Sequence, residues 1–144
     1  MKNEIDELLN EVRLFHNHIV QVGEALHADE SVTLGMRAVL EFLLKGGPMT
    51  VPDMARNRSV TRQHIQVIVN TLLDEKLITL KVNPAHKRSS LVALTPEGRQ
   101  TIQRMRQREG RLFDRTDFGI TGNQLRTARR TLEKVRVALN VKEP

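Results

Sequence analysis

The chain has 144 residues, a length typical of one domain, and its hydrophobic content of 39% is enough for a modest core. It contains no cysteine, which excludes disulfides, thiolate nucleophiles and cysteine-ligated zinc. The formal net charge of +6 suits a polyanionic partner. No segment approaches the roughly 20 apolar residues of a membrane span, and the N-terminus has no signal-peptide core, so we expect a cytoplasmic protein without a membrane partner.

The first predicted helix covers residues 5–26. Its apolar residues are spaced alternately three and four apart: Ile5, Leu8, Val12, Phe15, Ile19, Val22 and Leu26. Such a pattern is typical of a helix that packs along a narrow seam. The seam fits packing inside one chain and packing across a dimer equally well.

Two further helices are delimited by end signals. The second is predicted from about Val32 to Lys45, because Gly46-Gly47-Pro48 supplies a left-handed cap and then a residue that cannot continue a helix. The third is short: Thr50 can cap its first turn, and it ends near Asn57.

The fourth predicted helix is capped by Thr61, runs to about Glu75, and has two contrasting sides. One side is an apolar stripe that we expect to be buried: Ile65, Ile68, Val69, Leu72 and Leu73. The other side and its flanks carry candidates for DNA contact: Thr61, Arg62, Gln63, His64, Gln66, Val67 and Asn70. Gln and Asn can pair with adenine, Arg with guanine or phosphate, and Val with a thymine methyl group. A solvated helix face is the alternative, but no acidic residue occurs on this side before Asp74.

A β-hairpin is predicted after this helix, with strands at residues 77–82 and 91–94 around a polar loop. The loop ends in three further candidates for DNA contact: His86, Lys87 and Arg88. A hairpin beside a helix-turn-helix forms a wing, whose cations can contact phosphate or enter a narrow minor groove. The alternative is an ordinary solvated loop.

The last two predicted helices begin at Thr95-Pro96-Glu97 and at the capping box Thr121-Gly122-Asn123-Gln124. The first has a side that we expect to be buried: Ile102, Met105, Leu112 and Phe113. The second has apolar residues again spaced three and four apart: Leu125, Ala128, Leu132, Val135 and Leu139. Residues 141–144 are predicted to fray.

The sequence gives little indication of a metal site or of a catalytic site. His16 and His18 lie two residues apart on a helix, so their side chains point to different faces. The sequence has no Cys–His pair, no Gly-x-Ser-x-Gly and no phosphate loop. We therefore expect no metal, no cofactor and no enzymatic activity.

Four segments resemble the MarR family of bacterial transcriptional regulators: residues 34–44, 49–55, 60–78 and 83–99. The most specific is the wing and its exit, from Asn83-Pro84-Ala85-His86-Lys87-Arg88 to Leu94-Thr95-Pro96-Glu97-Gly98-Arg99. The resemblance implies a mainly α (α+β) fold and a single domain over residues 1–144. A winged helix-turn-helix would occupy residues 32–98, and dimerisation helices residues 1–30 and 117–140. It also implies a homodimer, repression at promoters, and release by a small-molecule effector in many members.

The wing departs from the family's usual Asp-x-x-Asp-Arg-Arg, because Asn83 and His86 replace its two acidic residues. The second acidic residue commonly braces the wing arginine, so we expect a more cationic and less rigid wing. Lys76 stands where the family often has glycine, which makes a left-handed helix cap less expected there. The resemblance also suggests three ligand-binding candidates: Phe15, His16 and Arg37.

We therefore predict a dimeric regulator that binds double-stranded DNA at a pseudo-palindromic operator. Residues 61–75 would enter the major groove, and the wing at 83–89 would lie on the backbone or in the minor groove. The main alternative is a winged-helix protein-interaction module without specific DNA binding. Non-specific architectural binding is a third possibility.

Overall fold

The computed structural model describes residues 1–139, and this part of the chain holds six helices and a two-stranded antiparallel sheet. In chain order the elements are α1 (Lys2–Leu26), α2 (Leu34–Gly46), α3 (Val51–Arg58), α4 (Arg62–Asp74), β1 (Ile78–Lys81), β2 (Leu91–Leu94), α5 (Pro96–Arg115) and α6 (Gly122–Ala138). The predicted mainly α fold class is confirmed. The chain divides into two compact units, Met1–Arg111 and a second that begins at Leu112.

Threonine side chains begin most of the helices. The hydroxyl oxygens of Thr50, Thr61, Thr95 and Thr121 each accept a hydrogen bond from the backbone N–H three residues later, at 3.0–3.2 Å. Such caps satisfy donors that the first helical turn leaves without a partner. At Thr121 the side chain of Gln124 also accepts from the Thr121 backbone N–H, at 2.7 Å, which confirms the predicted capping box.

The core of the first unit lies between α2, α3, α4, the sheet and α5. Its largest fully buried side chains include Leu40, Leu43, Met54, Ile65, Leu72, Ile102 and Met105. On α4, Ile65, Val69 and Leu72 are buried and Ile68 and Leu73 are partly buried, as the apolar stripe predicts. Since this side of α4 is fixed in the core, its opposite side faces solvent.

The end of α4 is a left-handed cap formed by a non-glycine residue. Lys76 has φ +57°, its N–H donates to the Leu73 carbonyl, and the Leu77 N–H donates to the Leu72 carbonyl. These two bonds make a Schellman motif, which places Leu77 against the core. The cap therefore forms although lysine replaces glycine, at the cost of a Cβ in the left-handed region.

The sheet pairs Ile78 with Leu94 and Leu80 with Val92. The first strand is shorter than the predicted one at residues 77–82, since β1 covers only Ile78–Lys81. Ile78 is buried in β1, whereas Leu80 is 49% exposed and Val82, beyond the end of the strand, is 82% exposed.

The start of α5 lies very close to the chain that leaves α4. A Cβ added at Gly98 would lie 1.8 Å from the Leu77 carbonyl oxygen, so only glycine fits there. The Thr95 hydroxyl donates to the Lys76 carbonyl at 2.8 Å, which ties the two segments together.

The terminal helices differ from the core helices, because neither α1 nor α6 has a buried residue. On α1, Val12, Phe15, Ile19 and Val22 are 36–60% exposed. Within the second unit, Leu125, Leu132 and Leu139 are 41–56% exposed.

Phe113 is 57% exposed, which corrects the prediction that it lies on a buried side of α5. Asn140, the end of the predicted dimerisation helix, and the predicted frayed residues 141–144 lie outside the described residues.

Across residues 1–139, no helix combines the length and the apolar character needed to pass through a lipid bilayer.

Candidate nucleic-acid interface

The outward side of α4 presents every DNA-contact candidate of that helix to solvent. Thr61, Arg62, Gln63, His64, Gln66 and Asn70 are all exposed, and Val67 is 61% exposed. The opposite side is anchored in the core, so these side chains project from a rigid support.

The first turn of α4 follows a tight turn from α3. Ser59 is in the left-handed region with φ +53°, and the Val60 N–H donates to the Ala55 carbonyl at 3.1 Å. Thr61 then accepts from the His64 N–H, whereas the N–H groups of Arg62 and Gln63 have no acceptor within the helix. Free N–H groups and the positive end of the helix dipole favour an anion such as phosphate.

The wing loop is built from two consecutive turns. The Asn83 side-chain oxygen accepts from the Ala85 N–H at 3.1 Å, and the His86 N–H donates to the Asn83 carbonyl at 3.2 Å. The Ser89 N–H then donates to the His86 carbonyl at 3.1 Å. Asparagine therefore provides the side-chain acceptor that starts the turn without adding a negative charge.

Helix and wing line one open groove of about 480 Å³. Arg62, Gln63 and Gln66 reach it from α4, and Arg88, Ser89 and Ser90 reach it from the wing. Its remaining lining is apolar, from Val51, Pro52, Val69, Leu80 and Val92. The structure thus brings four of the predicted DNA-contact residues to one groove. The others are exposed outside its lining: Thr61, His64, Val67, Asn70, His86 and Lys87.

The cations of this surface carry no acidic partner within residues 1–139: Arg62, Lys87 and Arg88 form no ion pair there. Several arginines elsewhere in the first unit are paired with carboxylates, for example Arg108 with Asp29 at 2.5 Å and Arg104 with Glu30 at 3.1 Å. The groove surface therefore keeps an uncompensated positive charge, the electrostatic character that polyphosphate partners require.

The three ligand-binding candidates are placed differently from one another. Phe15 and His16 are exposed on α1. Arg37, on α2, donates from both Nε and a terminal nitrogen to Glu109 of α5, at 2.5 Å each, and pairs with Glu41 at 3.3 Å.

His27 is a residue that the sequence analysis did not single out. It is buried, and its Nε2 lies 3.1 Å from the Glu109 carboxylate. Partial burial raises the pKa of Glu109, but the hydrogen bonds from Arg37 and His27 outweigh burial and hold that pKa below its usual range. A single carboxylate thus joins the end of α1 to α2 and α5. Because its partners lie 72 and 82 residues away in the sequence, no local pattern could have shown this link.

Ser89 and Ser90 were also missed, since their hydroxyls have no distinctive spacing. The only available signal was their place at the end of a loop that carries Lys87 and Arg88.

Known proteins with similar sequence or structure cover most of this chain. A family model described as the MarR family matches residues 37–89, which include most of the groove. An uncharacterized protein of Mycobacterium tuberculosis is 31% identical over 144 residues, 100% of both chains. A crystal structure of a MarR family transcription regulator is 30% identical, with a TM-score of 0.72 over 96% of this chain and 91% of that one. BpsR of Bordetella bronchiseptica, whose DNA binding is described as regulated by 6-hydroxynicotinic acid, shares the fold at 21% identity, with a TM-score of 0.76 over 88% of this chain and 91% of that one.

Proposed function

This chain belongs to the MarR family of transcription regulators, and we propose that it is a dimeric, sequence-specific DNA-binding protein that represses transcription. It acts in the cytoplasm, has no enzymatic activity, and takes double-stranded DNA as its partner. Residues 61–75 enter the major groove, and the wing at 83–89 lies on the adjacent backbone or in the minor groove.

The shared groove carries this proposal. Arg62, Gln63 and Gln66 of the helix line it together with Arg88 of the wing, and neither arginine has an acidic partner among the described residues. A duplex seated there would meet amide groups able to read base edges and cations able to hold the phosphates beside them.

The dimer is supported by the apolar stripes of α1 and α6, which leave Phe15 60% and Leu125 56% exposed in a single chain. A two-fold dimer would place two copies of α4 in successive major grooves, about 10 bp apart. The operator is then a pseudo-palindrome with that spacing between its half-sites.

A small-molecule effector that releases the DNA is part of the proposal, by analogy with BpsR. Its contacts would include Phe15, His16 and Arg37. An anionic effector could compete with Glu109 for Arg37, which would loosen the link between α1, α2 and α5.

The decisive experiment measures binding to the DNA upstream of the protein's own gene, by fluorescence anisotropy over a series of salt concentrations. We expect log Kd to depend steeply on log salt, and Arg62→Ala with Arg88→Ala to weaken binding and reduce the slope by about one per lost phosphate contact. Arg13→Ala is the control for each of the two single changes, since it removes one positive charge from an exposed position on α1.

Three outcomes would contradict the proposal. Binding that ignores salt would remove the role of the phosphate contacts. Equal affinity for upstream and random DNA would indicate an architectural protein. Absence of any binding would favour a protein-interaction module.

A further inference from the structure

The outward side of α4 has a neutral centre between charged flanks. Gln63, Gln66, Val67 and Asn70 follow one another at i, i+3, i+4 and i+7, so they form one strip along the helix. All four are exposed. The strip consists of three amides and one aliphatic side chain, and its nearest cation along the helix is Arg62 in the first turn.

We propose that this neutral strip selects A·T base pairs, with Gln66 paired to an adenine edge and Val67 packed against a thymine methyl group. The proposal rests on the DNA-binding function above and names the base pairs that this surface prefers.

Gln66 is held by its neighbour. Its Nε2 donates to the Asn70 side-chain oxygen at 2.9 Å, which uses one of the two amide N–H groups. The Gln66 carbonyl oxygen and the second N–H remain free, and adenine offers the matching pair, an N6 donor and an N7 acceptor. Asn70 is then a positioning residue, because it fixes the amide plane that meets the base.

Val67 is an apolar side chain, 61% exposed, on the otherwise polar side of a helix whose apolar stripe faces the core. The thymine methyl group is the one apolar group that base edges present in the major groove. Because Val67 directly follows Gln66 in the strip, the methyl group that it meets belongs to a thymine near the adenine that Gln66 reads.

Guanine is the poorer match for this strip. Its major-groove edge offers two acceptors, which are best met by the two donors of an arginine or by a lysine. No residue of the strip is cationic, and Arg88 reaches the groove from the wing rather than from this helix face.

The test begins with selection of bound sequences from a pool of random duplexes by the full-length protein. We expect A·T pairs at the centre of each half-site. Each selected thymine is then replaced by deoxyuridine, which removes only the methyl group. One position per half-site should lose about fourfold in affinity, the value of one buried methylene-sized group.

Variants assign the contacts. Val67→Ala should abolish the deoxyuridine effect at that position. Gln66→Ala should weaken operator binding roughly 5- to 150-fold and erase the adenine preference at one position. Asn70→Ala should relax the preference at the Gln66 position with a smaller loss of affinity. Lys87→Ala is the control, since it should weaken binding to all duplexes and leave the deoxyuridine effect unchanged.

Selection of guanine at these positions would overturn the inference. So would a deoxyuridine effect that is missing in the wild type or retained in Val67→Ala. In those cases salt-dependent operator binding would still stand, so the DNA-binding function would survive. Failure to enrich any sequence would defeat both.

Discussion

The part of the first unit that carries the groove and the two terminal helices differ in how far their apolar side chains are buried. In the former, Leu40, Ile65 and Val92 are at most 1% exposed. In α1 and α6 no residue is buried, and seam residues such as Val12 and Leu132 remain 38% and 41% exposed. A surface that must present side chains at fixed positions completes its core within one chain, whereas the terminal helices leave a stripe that a second copy can cover.

This difference predicts where a mutation acts. A change in the core should lower the stability of each chain, and a change in the seam should lower the affinity between chains. Substitutions in each class, compared with control variants, separate the two effects.

The largest loss of stability is expected for Leu40→Ala, because Leu40 is fully buried and the change leaves a cavity. Such truncations cost about 2–5 kcal/mol in unfolding free energy. Chemical denaturation measures the loss, and sedimentation should still show a dimer. Leu14→Ala, at a position 55% exposed on α1, is the control and should cost less than about 0.5 kcal/mol. Equal losses would show that the two positions are equivalently packed, contrary to the structure.

The seam is tested by Leu132→Asp. In the proposed dimer this position leaves water, so an unpartnered carboxylate there should cost at least about 2 kcal/mol, or roughly a thirtyfold weaker dimer. Sedimentation equilibrium over a dilution series measures the change. Thr131→Asp adds the same charge at an exposed neighbouring position and should leave the mass unchanged. If both variants behave alike, α6 does not contribute to a dimer.

Glu109 joins the end of α1 to the core helices. The loss of stability on removing its charge should therefore lie between the losses for core and for exposed positions. Glu109→Gln keeps the shape but loses the charge that Arg37 and His27 share, and should cost roughly 2 kcal/mol. Urea unfolding measures the loss. Glu133→Gln, which disrupts an exposed pair with Arg129 at 3.9 Å, should cost little.

The same variant has a defined pH dependence. The pKa of Glu109 is lowered in the folded protein, so its contribution is fully present above the unfolded value of 4.5. It is lost as the pH falls from there through the lowered folded pKa. The difference in stability between wild type and Glu109→Gln should therefore shrink below pH 4.5. A difference that grows with acidification would show that Arg37 and His27 do not stabilise the carboxylate.

The smallest effect is a gain. Lys76 has φ +57°, a region that costs a residue with a Cβ about 1 kcal/mol. Lys76→Gly should raise the unfolding free energy by nearly that amount, measured by thermal or chemical denaturation. Lys76→Ala keeps a Cβ and should give no comparable gain. A gain in both variants would indicate that the lysine charge, and not the backbone, limits the cap.

Local signals predicted the helix ends and the buried side of α4 well. The caps at Thr50, Thr61 and Thr121 depend on residues three positions apart, and the stripe from Ile65 to Leu73 depends on the helical period, so both are written in short stretches of sequence. The chemistry of the DNA-contact candidates could likewise be predicted from residue type, although their role in DNA binding stays a proposal.

What required the structure were contacts between distant segments. The hydrogen bond between His27 and Glu109 joins residues 82 positions apart, and the exposure of Phe113 does not follow from the apolar spacing of its helix. The groove that joins Gln66 to Ser89 forms only when the wing folds back beside α4. Periodicity reports which side of a helix is apolar, but not what that side meets.

At Asn83 the backbone shape of the wing loop does not depend on the charge of the side chain. The loop needs an oxygen that accepts from the Ala85 N–H, and either an amide or a carboxylate can supply it. Exchange between asparagine and aspartate at this position would change the attraction of the wing for a polyanion and leave its backbone conformation unchanged. In the proposed DNA complex, position 83 would therefore adjust how strongly the wing is retained on the duplex, independently of the side chains that read the bases.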